Sequence, residues 1–215
     1  MKTYLNLKNS NKLHLPSEFQ DDDVRYSDSL VEYFLKEYTH VNDVVFDPFA
    51  GFGTTLIVAE EMGRIPLGIE FDEDRVRYIQ SHLKQQDKIL HGDSRILRSY
   101  SLPAIDFSMT SPPYTSKGEI LDSFTAYTQK GNGYKEYLND IRNIYMQIKQ
   151  IMKPDAKAVI EVANIKHNEN VTTLAWDVAE AVSQVLHFEG EIVVNWDKYT
   201  TGFDHSYCLV FSKKQ

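Results

Sequence analysis

From Ser29 onward the apolar positions switch repeatedly between helical and strand spacing. Val31, Phe34, Leu35 and Tyr38 recur every three to four residues and predict an amphipathic helix over 29–38. Val44-Val45-Phe46 is a short β-rich run, broken by Gly51 and Gly53. Leu56 to Met62 predicts a helix stopped by Gly63. Ile65 to Glu70 is strand-like, and Asp74 to Leu83 places Val76, Ile79 and Leu83 on one helical face. Lys88 to His91 and Ile105 to Thr110 predict two further strands. The clearest helix spans 135–152, with Leu138, Ile141, Tyr145, Ile148 and Met152 in phase and Pro154 just beyond it. Ala158 to Val162 predicts a strand, 173–187 a helix, and Glu191 to Trp196 and Tyr207 to Phe211 two closing strands. Residues 1–26 are polar and predict an irregular segment, its Asp21-Asp22-Asp23 run a solvated face.

Strands alternating with helices of this length predict an α/β fold, with a mainly parallel sheet and helices on both faces. The last two strands, with no helix between them, predict an antiparallel C-terminal edge hairpin. The expected organisation is a single domain over 27–215 with no separate target-recognition domain. In such sheets ligands sit beyond the carboxyl ends of the strands, where the strand order reverses, so functional residues should follow strand ends.

Composition narrows this picture without redirecting it. With 215 residues and 42% apolar content the chain can bury a substantial core. One cysteine, Cys208, leaves no internal disulfide, which fits a reducing setting. There is no membrane-length apolar run and the first residues lack an apolar signal core, so the expectation is a soluble, cytoplasmic protein with no membrane partner. Seven scattered histidines show no ligand spacing, and no metal site is expected. The net charge of −8 argues against tight, non-specific nucleic-acid binding by the whole surface, while leaving room for a locally basic face.

The first chemical signal follows the first predicted strand. Asp47-Pro48-Phe49-Ala50-Gly51-Phe52-Gly53-Thr54-Thr55 joins that strand to a helix. Glycine permits positive φ and close backbone approach, and a helix start offers free amides to a polar ligand. Many ordinary turns also contain Gly-x-Gly. The next strand ends in Glu70, 23 residues after Asp47, a separation at which a carboxylate can accept both ribose hydroxyls. The alternative for Glu70 is a solvated strand-end charge. Asp93, after the third strand, can accept from an adenine amino group or simply close an Asx turn. No Gly-Lys-Thr or Gly-Lys-Ser follows the loop, and Leu56 stands where a dinucleotide fingerprint has its third glycine. Asp47 would repel a pyrophosphate but suits an ammonium, a sign that favours S-adenosylmethionine over a nicotinamide dinucleotide.

The second signal is Thr110-Ser111-Pro112-Pro113-Tyr114, directly after the fourth strand. Two prolines remove two backbone donors and fix φ twice, so the turn presents acceptors: the Ser111 hydroxyl and carbonyls. Such a cluster can hold an NH₂ group by its hydrogens while Tyr114 offers a face for a flipped base. The reaction would be a direct displacement at a sulfonium methyl, driven by alignment, with no metal and no covalent intermediate. A proline-stiffened loop with an aromatic plug is the structural alternative.

Together, the Asp-Pro-Phe-Ala-Gly-Phe-Gly-Thr-Thr loop and the Thr-Ser-Pro-Pro-Tyr turn resemble the amino-group DNA methyltransferases, which make N4-methylcytosine or N6-methyladenine. The resemblance runs from about Arg25 to Phe211, where His205-Ser206-Tyr207-Cys208-Leu209-Val210-Phe211 is similar to the family's last strand. It implies a class I, Rossmann-like methyltransferase fold with S-adenosyl-L-methionine as cofactor. It also implies Asp47, Phe49, Gly51, Gly53, Glu70 and Asp93 in the cofactor site, and a helix start near Ser27-Asp28-Ser29 beside it. With Ser29, Pro48, Ala50, Thr54, Phe71, Ser94 and Thr110 these residues form the expected cofactor-binding set. Ser111, Pro112, Pro113 and Tyr114 form the expected catalytic turn. Serine at its head is more typical of the cytosine-N4 members, which favours N4 of cytosine over N6 of adenine.

Two departures qualify the resemblance. The glycine loop precedes the catalytic turn here, whereas many relatives with this loop have the reverse order. The class that shares the order usually carries a recognition domain after the catalytic half, and only 101 residues follow Tyr114. The polar stretch Thr115–Gly133, with Lys117, Phe124, Tyr127 and Lys130, is the best candidate for a substrate loop. DNA is the expected partner and RNA the alternative, with a separate recognition subunit or a second copy of the chain to supply target recognition. Methylation of RNA or of a protein amide, and a non-catalytic cofactor-binding subunit, are the competing functions. Cytosine-C5 chemistry is set aside because the sole cysteine lies inside a predicted strand.

Overall fold

The computed structural model describes residues 2–167, 169–198 and 204–214. Its elements run β1 (Tyr4–Leu7), α1 (Asp28–Tyr38), β2 (Val44–Asp47), α2 (Thr54–Glu61), β3 (Ile65–Glu70), α3 (Glu73–His82) and β4 (Ile89–His91). They continue with β5 (Ile105–Thr110), α4 (Tyr134–Ile151), β6 (Met152–Val162), β7 (Ile165–His167), β8 (Asn170–Thr172), α5 (Leu174–Ser183), β9 (His187–Trp196) and β10 (His205–Ser212). The main sheet has the order β1-β9-β10-β6-β5-β2-β3-β4, and β7 with β8 forms a separate small hairpin.

Strands β2 to β6 pair in parallel, while β10 runs antiparallel to both β6 and β9. This is the parallel α/β sheet closed by a C-terminal hairpin that the pattern predicts. One strand lies beyond that hairpin. Within the segment expected to be irregular, Tyr4–Leu7 pairs in parallel with β9, with Leu5 opposite Val194. That expectation is therefore corrected. Four residues are too few to show a period of two, and the strand owes its place to the open edge of β9 and to burial of Leu5. Ser17–Asp22 adds a turn of 3₁₀ helix, and Leu15 is buried.

Two further differences have local causes. Strand β6 begins at Met152, directly after α4 and upstream of the predicted Ala158, because a register shift between Ile105 and Phe107 lets the pairing with β5 continue past it. The β7–β8 hairpin escapes sequence reading, since Asn164 to Thr172 mixes polar and apolar residues with no solvent-versus-core alternation.

The sheet is apolar on both faces. Ala158, Ile160 and Val162 point to the side covered by α4 and α5, where Ile141, Ile144, Tyr145, Ile148, Val178 and Val182 are buried. Val159, Phe107 and Met109 point to the opposite side, against Leu30, Val31, Phe34 and Leu35 of α1. Leu56 of α2 and Ile79 of α3 extend that second layer. Chain order reverses between β2 and its neighbours β5 and β3, so the crevice lies above the carboxyl ends of these strands.

Candidate active site at the carboxyl ends of the strands

Asp47 ends β2 and is 1% exposed. Its Oδ1 accepts from the Phe49 amide at 3.0 Å and its Oδ2 from the Tyr26 hydroxyl at 3.4 Å. Burial pushes its pKa up to about 6, against the opposing pull of the Thr110, Thr55 and Tyr26 hydroxyls and the Phe49 amide. The loop that follows turns through two glycines with positive φ. Gly51 has φ +55 and its missing Cβ would face open space, with the nearest atom, the Phe49 carbonyl oxygen, 4.0 Å away. Gly53, at φ +81, is the N-cap of α2, and a Cβ there would stand 2.8 Å from Ile79 Cγ1. Gly51 thus leaves an open cradle, while Gly53 allows α2 to approach α3.

Glu70, at the end of β3, is 8% exposed. Its Oε2 accepts from the Gly51 amide at 2.7 Å and its Oε1 from the Asp72 amide at 2.9 Å. It is therefore no solvated strand-end charge. Burial raises its pKa, opposed by the Asp72 amide, the charge of Arg75 and the Gly51 amide. Each oxygen keeps a second lone pair that a hydroxyl could use. Phe71 follows, partly exposed, its carbonyl 2.9 Å from His91 Nε2. The Ser94 hydroxyl donates to the Pro48 carbonyl and so ties the segment after β4 to the glycine loop. The Ala50 amide donates to the Ile69 carbonyl at 2.9 Å, Gly53 to Ala50 at 2.7 Å, and Thr54 opens α2.

Asp93 is differently engaged. Its Oδ1 accepts from the Arg95 amide at 2.8 Å, the Asx turn foreseen as the alternative. The carboxylate also holds the Arg95 guanidinium, with Nε at 3.0 Å from both oxygens. Ser29, at the start of α1, is bonded to Ser27 at 2.9 Å and donates to the Lys8 carbonyl at 3.4 Å. In that region it is Tyr26 that reaches the glycine loop, through Asp47 and a short contact with Thr55.

The catalytic-turn candidates lie on the same edge of the sheet. Thr110 ends β5, and the preceding carbonyl, that of Met109, accepts from Thr55 of the glycine loop at 3.5 Å. Because Thr110 pairs with Ile160, the next residue of each strand, Ser111 and Glu161, is carried to the same level. Glu161 is 5% exposed. The Tyr114 hydroxyl donates to its Oε2 at 3.2 Å and accepts from the Ala163 amide at 2.8 Å. Burial raises the Glu161 pKa, and the hydroxyls of Ser206, Ser111 and Tyr114 oppose the rise. Pro112 is buried and Pro113 half-buried.

The substrate-loop candidates lean on this assembly. Phe124 is buried, stacked between Phe49 at 5.5 Å and Tyr137 at 5.1 Å. Tyr127, with φ +59, is exposed, and its hydroxyl donates to the Tyr114 carbonyl. Lys117 Nζ lies 5.8 Å from the Tyr134 ring centroid, and the Lys117 amide donates to Thr172 Oγ1 at 3.2 Å. Lys130 is exposed, next to a bridge between it and Leu121. Arg95 fastens the loop: its Nη1 is 2.7 Å from Asp122. Phe124 thus belongs to the packed base of the site and Tyr127, through the Tyr114 carbonyl, to its rim, while Lys117 packs by Tyr134 and Lys130 is exposed opposite Leu121.

Sequence reading missed Glu161, Ser206, Tyr26 and Arg95. Glu161 left a signal: it is the one charge in Ala158–Ala163, a run buried on both faces, where an ionised side chain needs partners. Among the described residues no three or more His, Cys, Asp or Glu side chains are grouped to hold a metal, and no helix is long and apolar enough to cross a membrane.

Comparison with known proteins finds sequence similarity around the glycine loop and a shared fold. Residues 5–81 match the model of a family described as DNA methylase, and that stretch contains the glycine loop and Glu70. The similarity to that family is confined to this segment, well under half of the chain. It is 38% identical over 63 residues to the Type II methyltransferase M.MjaII of Methanocaldococcus jannaschii, covering 29% of this chain and 12% of that relative. It is 36% identical over 52 residues to the Type II methyltransferase M.BglII of Bacillus subtilis, covering 24% and 14%. The alignments therefore span well under a quarter of these relatives. Among solved structures, TrmN from Thermus thermophilus superposes with a TM-score of 0.63 at 15% identity, over 87% of this chain and 49% of that one. The fold is that of the class I methyltransferases.

Proposed function

We propose that this methylase domain transfers a methyl group from S-adenosylmethionine to an exocyclic amino nitrogen of a DNA base, with N4 of cytosine favoured over N6 of adenine. One observation carries the reading. Thr55 of the glycine loop donates to the Met109 carbonyl, two residues before Ser111, at 3.5 Å. Both motifs thus meet at the carboxyl ends of β2 and β5.

The residues fit the cofactor. Asp47 and Glu70 are buried carboxylates, and Gly51 leaves backbone space beside them. Asp47 suits the ammonium, the oxygens of Glu70 the ribose hydroxyls, and Phe49, Phe71 and Ser94 the remaining walls. When bound, the cofactor supplies an electrophilic methyl on a sulfonium. The chain's own part is orientation. Pro112 and Pro113 withhold donors, Ser111 and nearby carbonyls accept the amino hydrogens, and Tyr114 provides a stacking face fixed by its two hydrogen bonds. No side chain need act as a nucleophile. Ser111 at the head of the turn supports the cytosine preference, and the family match supports DNA as the polymer.

A second reading is an RNA base: Glu119, Asp122 and Glu136 line the neighbouring cavity and oppose either polyanion alike. Incubation with labelled cofactor and, separately, genomic DNA, transfer RNA and ribosomal RNA decides between them. Label in DNA alone is expected; label only in an RNA replaces the first reading, and no label in any overturns both.

A further inference from the structure

Glu161 lies outside every motif that suggested the function, yet three hydroxyls converge on it. Those of Ser111 and Tyr114 come from the catalytic turn and that of Ser206 from β10. Two of the three have their direction fixed by obligate donors. The Tyr114 oxygen accepts from the Ala163 amide at 2.8 Å, and the Ser206 oxygen accepts from Trp196 Nε1 at 2.9 Å. An amide or indole N–H cannot accept, so each of these hydroxyls sends its own proton onward to the carboxylate. Ser111 also faces Glu161, and because an ionised carboxylate can only accept, its hydroxyl donates there too. A hydroxyl has one proton, so once the Ser111 proton is given to Glu161 its oxygen keeps only lone pairs for any further partner. Pro112 and Pro113 have already removed the neighbouring backbone donors.

Building on the proposed function, we infer that Glu161 is a positioning residue that sets the polarity of the target pocket, so that it accepts an amino group and rejects a carbonyl at the same place on the base. Cytosine differs from uracil, and adenine from hypoxanthine, in that one group. A carbonyl presented to Ser111 would set acceptor against acceptor, leaving two buried lone-pair groups unpaired. The effect passes through Ser111, and Glu161 itself touches no reacting atom.

Glu161→Gln tests this with little change of shape. The Gln amide nitrogen must donate to one of the three hydroxyl oxygens. At the fully buried Ser206 an accepted amide proton would strand the hydroxyl's own, whereas the partly exposed Ser111 can accept it and release its own proton outward, so the amide turns to Ser111. The readout is binding of fluorescein-labelled single-stranded dC12, dU12, dA12 and dI12, by anisotropy, with sinefungin filling the cofactor site. Wild type is expected to prefer the amino member of at least one pair by about tenfold, the scale of one hydrogen bond. In Glu161→Gln the preference should fall to within about twofold, with sinefungin affinity unchanged. A merely structural role would weaken all four oligonucleotides alike and keep the ratio, which would overturn the inference. If Glu161→Gln does not fold, Ser111→Ala removes the same acceptor, and an undiminished ratio there is equally fatal. Wild type that methylates nucleic acid but keeps its ratio in the variant refutes only Glu161. Wild type with neither transfer nor preference refutes the functional reading as well.

Discussion

Asp47 makes the acidic floor of the site measurable without any substrate. It is 1% exposed, and burial lifts its pKa from 3.8 to about 6. The folded state therefore holds a proton between about pH 4 and pH 6 that the unfolded chain has released. This contribution to stability is complete below the unfolded value and is lost as pH rises through the folded one. A gap of that size corresponds to about 3 kcal/mol, with a slope of up to about 1.4 kcal/mol per pH unit inside the window. Asp47→Asn keeps an acceptor for the Phe49 amide, and the Tyr26, Thr55 and Thr110 hydroxyls can rotate to receive its new N–H. The variant should match or trail wild type at pH 4 and gain on it steadily up to pH 7. Glu70 and Glu161 also have raised pKa values and tilt both proteins in the same direction, so the difference between wild type and variant isolates Asp47. Urea denaturation at half-unit pH steps reads the free energies directly. Parallel pH profiles for the two proteins would refute the argument that burial, rather than a partner charge, governs this carboxylate.

Further outcomes follow from the same geometry. Glu70→Ala should weaken S-adenosylmethionine binding by roughly 1–3 kcal/mol in calorimetry, because it removes ribose acceptors and also frees the Gly51 amide; unchanged affinity would remove Glu70 from the cofactor site. Tyr114→Ala should leave cofactor affinity nearly intact while methyl transfer collapses, and a large affinity loss would contradict its assignment to the target side. Gly53→Ala forces a left-handed φ on alanine and a Cβ against Ile79, so a loss of about 2–4 kcal/mol is expected in denaturant melts; a loss below about 1 kcal/mol would mean that the loop relaxes freely. Phe124→Ala removes a ring stacked between Phe49 and Tyr137 and should lower stability by about 3–5 kcal/mol. A near-neutral result would place Phe124 at the rim with Tyr127.

What the sequence made legible was what depends on local chemistry. Helices with an apolar stripe, strands buried on both faces and the two prolines and two glycines at strand ends all act within a few residues of themselves. Positions fixed by distant partners were hidden. Tyr4–Leu7 is a strand because β9 offers an edge, which four residues cannot announce. For Asp93 the sequence allows an adenine acceptor or an Asx turn; the structure shows the turn and, in addition, Arg95 clamped on the carboxylate. Only the fold makes Arg95 also reach Asp122, 27 positions along the chain. Glu161 is a partial case. Its charge stands out in an apolar run, but its meaning comes from the parallel register that sets it beside Ser111 and the antiparallel partner that brings Ser206. The catalytic turn was readable as a motif, and its polarity only as a network.

The most direct test of the account is the identity of the product nucleoside. Nucleic acid incubated with the protein and methyl-labelled S-adenosylmethionine would be digested and resolved by mass spectrometry. The account predicts label in N4-methyl-2′-deoxycytidine or, failing that, N6-methyl-2′-deoxyadenosine. Label on a ring carbon, on a ring nitrogen or on the protein itself, with none on an exocyclic amine, would contradict it.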